Sequence, residues 1–484
     1  MRLAIFSLLV TSAAFAQPDD WTNMGGNAQR NGLAETLGPV ASDDILWENG
    51  PSSIIAWPPF IQGASLITVR QTGFPPSGEP NGSPVYILDL YSGATQRTIN
   101  VPFNTGDWTT WVAGARDGRV FASRSGNGAS VSAKMYAYNI ATGSEVWQSQ
   151  VVQNAGAYDG VVFAPDGDLI VASFRNIWRI DFDTGATVWT ASRLCSVSGN
   201  CGGALSPSGD AVYVADAVPG GHAIKKFRLS DGAFQYQSAV MSGFTLQNTP
   251  LVAPNGDIFL SRTQNNTATD FVYAFQDTGA AIVQKWSKPA AWSTESSLAC
   301  GSDSSLYAFA PGNLLRRLSN QTGDTMAEAL PIPADFFQPQ IAVDAEGRVY
   351  VSNGAFSNGR LYCFSDSLEL LWSKAVTNVN VGGPAIGDES GILVMTGNGN
   401  QLFAMNHVPS GPVCNDIDFN NDGSAFDPQD IEALLSVYSE GPCIPATATC
   451  DDLDFNNDTS IFDPCDINSF LLVYSEGPCT LCGV

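Results

Sequence analysis

Histidine is almost missing from this chain of 484 residues, which has only His222 and His407. That scarcity nearly excludes a three-histidine zinc site or a His-based catalytic triad. Basic residues are also few, 22 Lys and Arg against 47 Asp and Glu, for a formal net charge of −25. A phosphate backbone or an anionic bilayer needs clustered positive charge, so the balance argues against nucleic acid and anionic membrane surfaces as partners. Beyond the N-terminus no apolar run approaches the ~18 residues of a membrane span. No G-x-S-x-G elbow and no H-E-x-x-H helix occurs. What is present is a 44% hydrophobic composition, enough for a sizeable core, at a length that suggests two domains or one large repetitive one.

The N-terminus reads as an export signal. Met1-Arg2 is a short positive region, Leu3 to Val10 are apolar, and Ala14-Phe15-Ala16 fits a small-x-small cleavage pattern. The expectation is a signal peptide over residues 1–16, cleaved near Ala16, and a secreted or cell-envelope exterior address. No cysteine precedes Cys195, which leaves no residue for a lipid-anchored start. Six of the ten cysteines fall at 414, 443, 450, 465, 479 and 482, and from Gly411 onward there are fourteen acidic residues and no Lys or Arg. This shift in composition places a linker at 409–413 between a domain over 17–408 and a tail over 414–484.

Between Gln17 and His407 one phrase recurs, clearest as Tyr136-Ala137-Tyr138-Asn139-Ile140-Ala141-Thr142-Gly143-Ser144-Glu145-Val146-Trp147. Weaker copies begin near Tyr86, Trp178, Phe227, Tyr273, Leu315 and Tyr362, at steps of 42 to 50 residues. Each reads as a hairpin: an alternating strand, a turn at Gly93, Gly143, Gly185, Gly232, Gly279 or Gly323, then a strand ending in an aromatic such as Trp147, Trp189, Trp286 or Trp372. A second hairpin lies upstream, as in Val162-Phe163-Ala164-Pro165-Asp166-Gly167-Asp168-Leu169-Ile170-Val171. Two hairpins per period make the four strands of a propeller blade. The last unit, Leu402-Phe403-Ala404-Met405, lacks a fourth strand, and Asp44-Ile45-Leu46-Trp47-Glu48 supplies one from the other end of the chain. The expected count is eight blades, with seven as the alternative because Leu315 to Ala327 is degenerate.

These phrases, with the opening segment Trp21-Thr22-Asn23-Met24-Gly25-Gly26-Asn27-Ala28-Gln29-Arg30-Asn31-Gly32, resemble the repeats of the quinoprotein alcohol dehydrogenase-like propellers. The resemblance implies the fold and not the cofactor. Quinone-binding members place two adjacent cysteines against the cofactor, and no two cysteines are adjacent here, so no pyrroloquinoline quinone is expected. Cys195 and Cys201 read as the staple of a short loop, and Cys300 and Cys363 as buried thiols. Asp166, Asp168, Asp183, Asp231 and Asp257 read as turn residues. Trp108 and Trp111 read as blade packing, although they could stack on a sugar. Arg316-Arg317 and Lys225-Lys226 are basic pairs that could hold an anion and usually face solvent.

The tail is a duplication at a step of 36 residues. Asp418, Asn420 and Asp422 present oxygens at positions 1, 3 and 5 of a calcium-type loop, Ser424 offers its carbonyl at position 7, and Asp430 closes at position 13. The second copy has Asp454, Asn456, Asp458, Ser460 and Asp466, with Thr459 where the first has Gly423. A helix is expected after each loop, capped by Asp427-Pro428 and Asp463-Pro464. Its apolar residues would be Ile431, Leu434, Leu435 and Tyr438, and then Ile467, Phe470, Leu471 and Tyr474. The duplication favours disulfides Cys414–Cys443 and Cys450–Cys479, leaving Cys465 with Cys482. This pattern resembles the GC-type dockerin tails of secreted bacterial proteins. The resemblance implies two calcium ions and a docking partner.

The fold class expected is therefore mainly β: an eight-bladed β-propeller followed by a small disulfide-rich, α-helical, dockerin-like domain with tandem calcium loops. The function expected is a non-enzymatic scaffold. Its propeller face would bind an extracellular protein or glycan, and its tail would anchor it. The alternative is a propeller enzyme, either a quinone-dependent dehydrogenase or a glycan hydrolase using two carboxylates.

Overall fold

The computed structural model describes residues 20–73, 83–102, 109–125, 133–150, 161–195, 202–242, 246–247, 249–263, 271–291, 298–332, 339–354, 357–377, 382–388 and 390–406 of the first part of the chain. Further on it describes 418–421, 428–439, 441–443, 455 and 464–474. The chain divides into two compact units, Met1–His407 and Val408–Val484.

The first unit consists of eight antiparallel sheets, each with four strands along its main path. Blade 1 runs through Phe60–Gln62, Ser65–Gln71, Val85–Asp89 and Thr95–Ile99, with Ile55–Ala56 also paired to its second strand. Blades 2 to 7 follow in the same up-and-down order. Blade 6, the degenerate copy, is complete as Ala299–Cys300, Leu306–Ala310, Leu314–Leu318 and Thr325–Glu328, which settles the count at eight. Blade 8 has Pro384–Ile386, Ile392–Thr396 and Leu402–Asn406, and its fourth strand is Ile45–Glu48. There Ile45 stands opposite Met405 and Glu48 opposite Phe403. The alternating apolar residues seen in the sequence fill the cores between neighbouring blades, as Val120, Ala122, Val85 and Ile87 do between blades 1 and 2.

The outer strands join blades through their terminal tryptophans. Trp147 of blade 2 donates its indole N–H to the Phe182 carbonyl of blade 3 at 2.8 Å, and Trp189 donates to the Leu229 carbonyl of blade 4 at 2.8 Å. Trp286 reaches the Asn320 carbonyl at 3.0 Å, and Trp47 reaches the Leu90 carbonyl of blade 1 at 2.7 Å. Each ring lies on the turn glycine of the next blade. A Cβ on Gly93, Gly185, Gly232 or Gly323 would stand between 2.5 and 2.7 Å from that ring. Trp372 of blade 7 finds no acceptor among the described residues. The reason is topological: the fourth strand of blade 8 comes from the N-terminus, so no hairpin turn lies there to receive it.

The opening segment lies across the innermost strands. The Trp21 carbonyl accepts from Ile61 N–H of blade 1 at 3.0 Å and Thr22 from Ala115 of blade 2 at 2.8 Å. Ala28 accepts from Leu205 of blade 4, Gln29 from Val252 of blade 5, Asn31 from Cys300 of blade 6 and Gly32 from Val343 of blade 7, at 2.7–2.9 Å. The Asp20 carboxylate takes Asp388 N–H, beside blade 8, at 2.9 Å. The inner edge of a sheet otherwise leaves these donors unpaired.

Gly185 and Gly279 both have positive φ, +70° and +83°, but a Cβ on Gly279 meets nothing within 4 Å. Gly279→Ala therefore carries the left-handed backbone cost alone, about 1–2 kcal/mol. Gly185→Ala also displaces the Trp147 ring, adding about 1–3 kcal/mol. Thermal unfolding should show the larger drop for Gly185→Ala; equal drops would mean that the indole contact contributes nothing.

Candidate functional site

In the second unit the two expected helices form, α1 over Pro428–Tyr438 and α2 over Pro464–Tyr474, each starting at the proline that fixes the first helical φ. Gly441 N–H turns back to the Ser436 carbonyl at 2.7 Å beyond the end of α1. The buried face keeps most of the expected positions and differs at two of them. Leu435 and Leu471 are exposed, at 49% and 47%, whereas Asp430, Ala433 and Leu434 are buried. Of the expected stripe, Leu434 and Phe470 are buried, and Ile431, Tyr438 and Tyr474 pack partly buried against the same core, which Val437 also joins; Asp466 and Ser469 of α2 are buried as Asp430 and Ala433 are in α1. Hydrophobicity alone assigns an aspartate outward, which is why the spacing put Leu435 and Leu471 on the buried face and left Asp430 and Asp466 off it. Phe419 and Phe455, equivalent residues of the two loops, both pack edge-on against Phe470, at 6.0 and 5.1 Å between ring centres.

Of the sequence-predicted ligands, Asp418 is half-buried and Asn420, Asp430 and Asp466 are buried. Asp422, Ser424, Asp454, Asn456, Asp458 and Ser460 lie outside the described residues, and so do Gly423 and Thr459. Asn421 has a left-handed φ of 53°. Among the described residues no group of three His, Cys, Asp or Glu gathers on one point. Asp430 and Asp466 nevertheless occupy matching interior positions. Residues 408–484 contain no Lys, Arg or His, so whatever hydrogen bonds these carboxylates accept, no side chain of the unit can supply positive charge. Burying a carboxylate costs several kcal/mol unless its charge is met. Hard oxygen donors at this spacing suit calcium. Cys443 is disulfide-bonded, and the sulfur joined to it is outside the described side chains.

In the propeller the candidate residues resolve into structural roles. Asp166 and Asp168 pair with Arg179, Asp183 with Arg119, Asp231 with Arg228, and Asp257 with Lys285. The basic pairs are spoken for as well: Arg316 meets Glu328, Arg317 meets Asp303 and Asp366, Lys225 meets Asp216, and Lys226 meets Asp277. Trp111 is buried in a blade core, and Trp108 is outside the described residues. Cys300 and Cys363 are free, buried thiols whose pKa burial raises, so they are poor nucleophiles. Cys195 is buried beside Phe174, and Cys201 is outside the described residues.

A polar pocket of about 340 Å³ lies between blades 4 and 5, lined by Asp210, Tyr213, Lys226, Asp257, Asp277 and Lys285 among others. Burial would raise the Asp277 carboxyl, but donors from Lys226, Tyr236 and Tyr213 outweigh it and hold the group at about 2. The Tyr213 and Tyr236 hydroxyls donate at 2.7 and 2.6 Å, and Lys226 stands 2.8 Å away. Asp277 is therefore ionised at neutral pH and cannot be the protonated acid of a two-carboxylate hydrolase.

Sequence reading missed a set of buried arginines. Arg70, Arg124 and Arg262 take the same place on the second strands of blades 1, 2 and 5, and Asp216 takes it in blade 4, where Arg193 meets it at 2.8 Å. Charged residues in strands normally read as solvent-facing, and only the pattern's recurrence could have signalled otherwise.

His222, buried in blade 4, is held neutral: desolvation first, and the charge of Arg262 second, lower its pKa to about 4. Between the ordinary value near 6.5 and about 4 the unfolded chain binds a proton that the folded chain refuses. His222 therefore contributes stability above pH 6.5 that is lost progressively as pH falls to 4. His222→Gln should flatten the unfolding free energy across that window by roughly 2 kcal/mol. A parallel pH profile in the variant would refute the assignment.

Residues 81–309 match the family model of the outer membrane protein assembly factor BamB. No curated protein matches the chain. Among solved structures it is similar to a europium-containing methanol dehydrogenase, at 11% identity over 79% of this chain and 90% of that one, with a TM-score of 0.57. It is also similar to the quinohemoprotein alcohol dehydrogenase from Comamonas testosteroni, at 10% identity over 80% and 78% of the two chains and a TM-score of 0.55. The computationally designed Ika8 protein matches at 10% identity over 78% of this chain and 99% of that one, with a TM-score of 0.52. At such identities these likenesses show the fold. The chain is an eight-bladed β-propeller that resembles those of the quinoprotein dehydrogenases and matches the BamB family model over its middle portion.

Proposed function

We propose that this is an exported, non-enzymatic propeller whose face binds an extracellular protein or glycan and whose calcium-loaded, dockerin-like tail attaches it to another extracellular component. The observation that carries the tail reading is the matched pair of buried carboxylates, Asp430 and Asp466, in a unit without a single cationic side chain. Asp418, Asn420, Asp422, the Ser424 carbonyl and Asp430 would hold one ion; Asp454, Asn456, Asp458, the Ser460 carbonyl and Asp466 would hold the other. Calcium bound there neutralises the interior carboxylates and ties each loop to its helix, so tail folding and docking become calcium-dependent.

The runner-up draws on the dehydrogenases among the structural neighbours. Against it, the described cysteines of the propeller stand singly in separate blades, and the five turn carboxylates are each paired to a base. Reconstitution with quinone and calcium, followed by bound-cofactor absorbance and dye reduction, separates the readings. A reduced dye overturns the scaffold.

The two ions should differ in affinity. Thr459 is β-branched and would resist a positive φ that glycine, the residue at 423, allows, so the second loop should bind more weakly. Calorimetric titration of the full chain should show two unequal calcium events, the tighter one lost in Asp422→Ala and the looser one in Asp458→Ala. No calcium uptake by the full chain would end the tail reading, and tighter binding by the second loop would end the ranking.

A further inference from the structure

Ring closure brings blade 8 against blade 1, and the contact there contains a buried charge that the chain does not neutralise. Arg70 is fully buried. Its Nε donates to the Pro51 carbonyl at 2.8 Å and one Nη to the Gly399 carbonyl at 2.7 Å, both uncharged acceptors. Its other guanidinium nitrogen, Nη1, has no partner, and no carboxylate pairs with Arg70 among the described residues. Desolvation accordingly lowers its pKa to about 10. An unmatched charge of this kind is costly to hold inside a protein.

The equivalent positions show what is different here. Arg124 in blade 2 has the same Nη1 satisfied by the Thr110 hydroxyl at 2.6 Å, and Arg262 in blade 5 directs Nη1 toward the Tyr273 hydroxyl at 3.5 Å. In blade 4 the carboxylate comes from within the chain, where Asp216 meets both Arg193 and Lys225. Thr110 stands opposite Arg124, and the residue opposite Arg70 is Ala56, which has no hydroxyl. Two further buried groups on the segments that meet at this joint are also without partners among the described residues, the hydroxyls of Ser53 and Thr68. Thr68 is two residues along the same strand and so on the same sheet face. The Ser53 backbone exchanges hydrogen bonds with Gly399, whose carbonyl Arg70 also uses. Gln71 Oε1, likewise unpartnered, points to the opposite face and takes no part.

We propose that the joint between blades 8 and 1 binds a small monovalent anion of the halide class, held by the Arg70 guanidinium with the Ser53 and Thr68 hydroxyls. All three groups offer protons, and a halide accepts protons and cancels the charge. The bound anion favours the closed ring, because the carbonyls that fix Arg70 come from Pro51, on the link between the closing strand and blade 1, and from Gly399 of blade 8.

The test compares thermal unfolding of the full chain in sodium chloride, bromide and gluconate at equal ionic strength, with calcium supplied as gluconate. Chloride and bromide should raise Tm by about 2 °C or more, saturating with concentration, where gluconate does not. Ala56→Thr, which supplies the hydroxyl that blade 2 uses, should abolish the halide dependence without lowering Tm in gluconate. Should that variant fold poorly, bromide anomalous scattering from wild-type crystals gives the same answer through a peak against Arg70 Nη1. Equal Tm in all three salts, an unchanged halide response in a folded Ala56→Thr, or bromide found only elsewhere would overturn the proposal.

Discussion

The propeller depends on how its N-terminal segment is seated. Each four-stranded sheet has an inner edge with unpaired N–H groups, and such an edge is costly when buried and hazardous when exposed. Residues 20–32 meet most of these edges almost one residue at a time, with carbonyls serving blades 1, 2, 4, 5, 6 and 7 and Asp20 turned to blade 8, while Val161 of blade 3 donates to Ala113 of blade 2. Gly32 fits because a Cβ there would stand 2.8 Å from Ala299. Thirteen residues further along, Ile45–Glu48 completes the last sheet. One end of the chain thus caps most of the inner edges and closes the ring.

The joints between blades vary a common plan. Where a tryptophan meets a turn glycine, ring stacking and one indole hydrogen bond fix the neighbour. Ionic contacts also cross between blades. Lys226 of blade 4 reaches Asp277 of blade 5, Arg317 of blade 6 reaches Asp366 of blade 7, and Lys374 of blade 7 reaches Glu48 of the closing strand. The partly exposed pairs are individually weak, and they matter mainly by setting the register of one blade on the next. The clearer energetic contribution comes from the continuous apolar cores between blades.

Much of this architecture was legible because it is local. Period-two alternation and turn glycines are properties of ten-residue stretches, so the hairpins, the blade count and even the borrowed strand could be read from Trp47 and its neighbours. The partner of each tryptophan could not, because Trp147 and Gly185 meet only after the blades associate. Buried arginines were invisible for a different reason: a guanidinium in a strand reads as solvent-facing unless one knows which carbonyls converge on it. In the tail, the helices and their proline starts were legible. The exposure of Leu435 and the burial of Asp430 were not, since hydrophobic spacing favours the leucine over the aspartate. Most of the residues read as calcium ligands lie outside the described residues, and that reading comes from loop spacing.

The central claim is that residues 20–32 occupy the inner edges of the sheets, and hydrogen–deuterium exchange over the inner strands tests it most directly. The amides of Ile61, Ala115, Leu205, Val252, Cys300 and Val343 each donate to this segment. If the segment is seated as described, peptides carrying these amides exchange as slowly as the central strands of their own blades. Fast exchange at these positions, with slow exchange at the sheet centres, would show open inner edges and contradict the account.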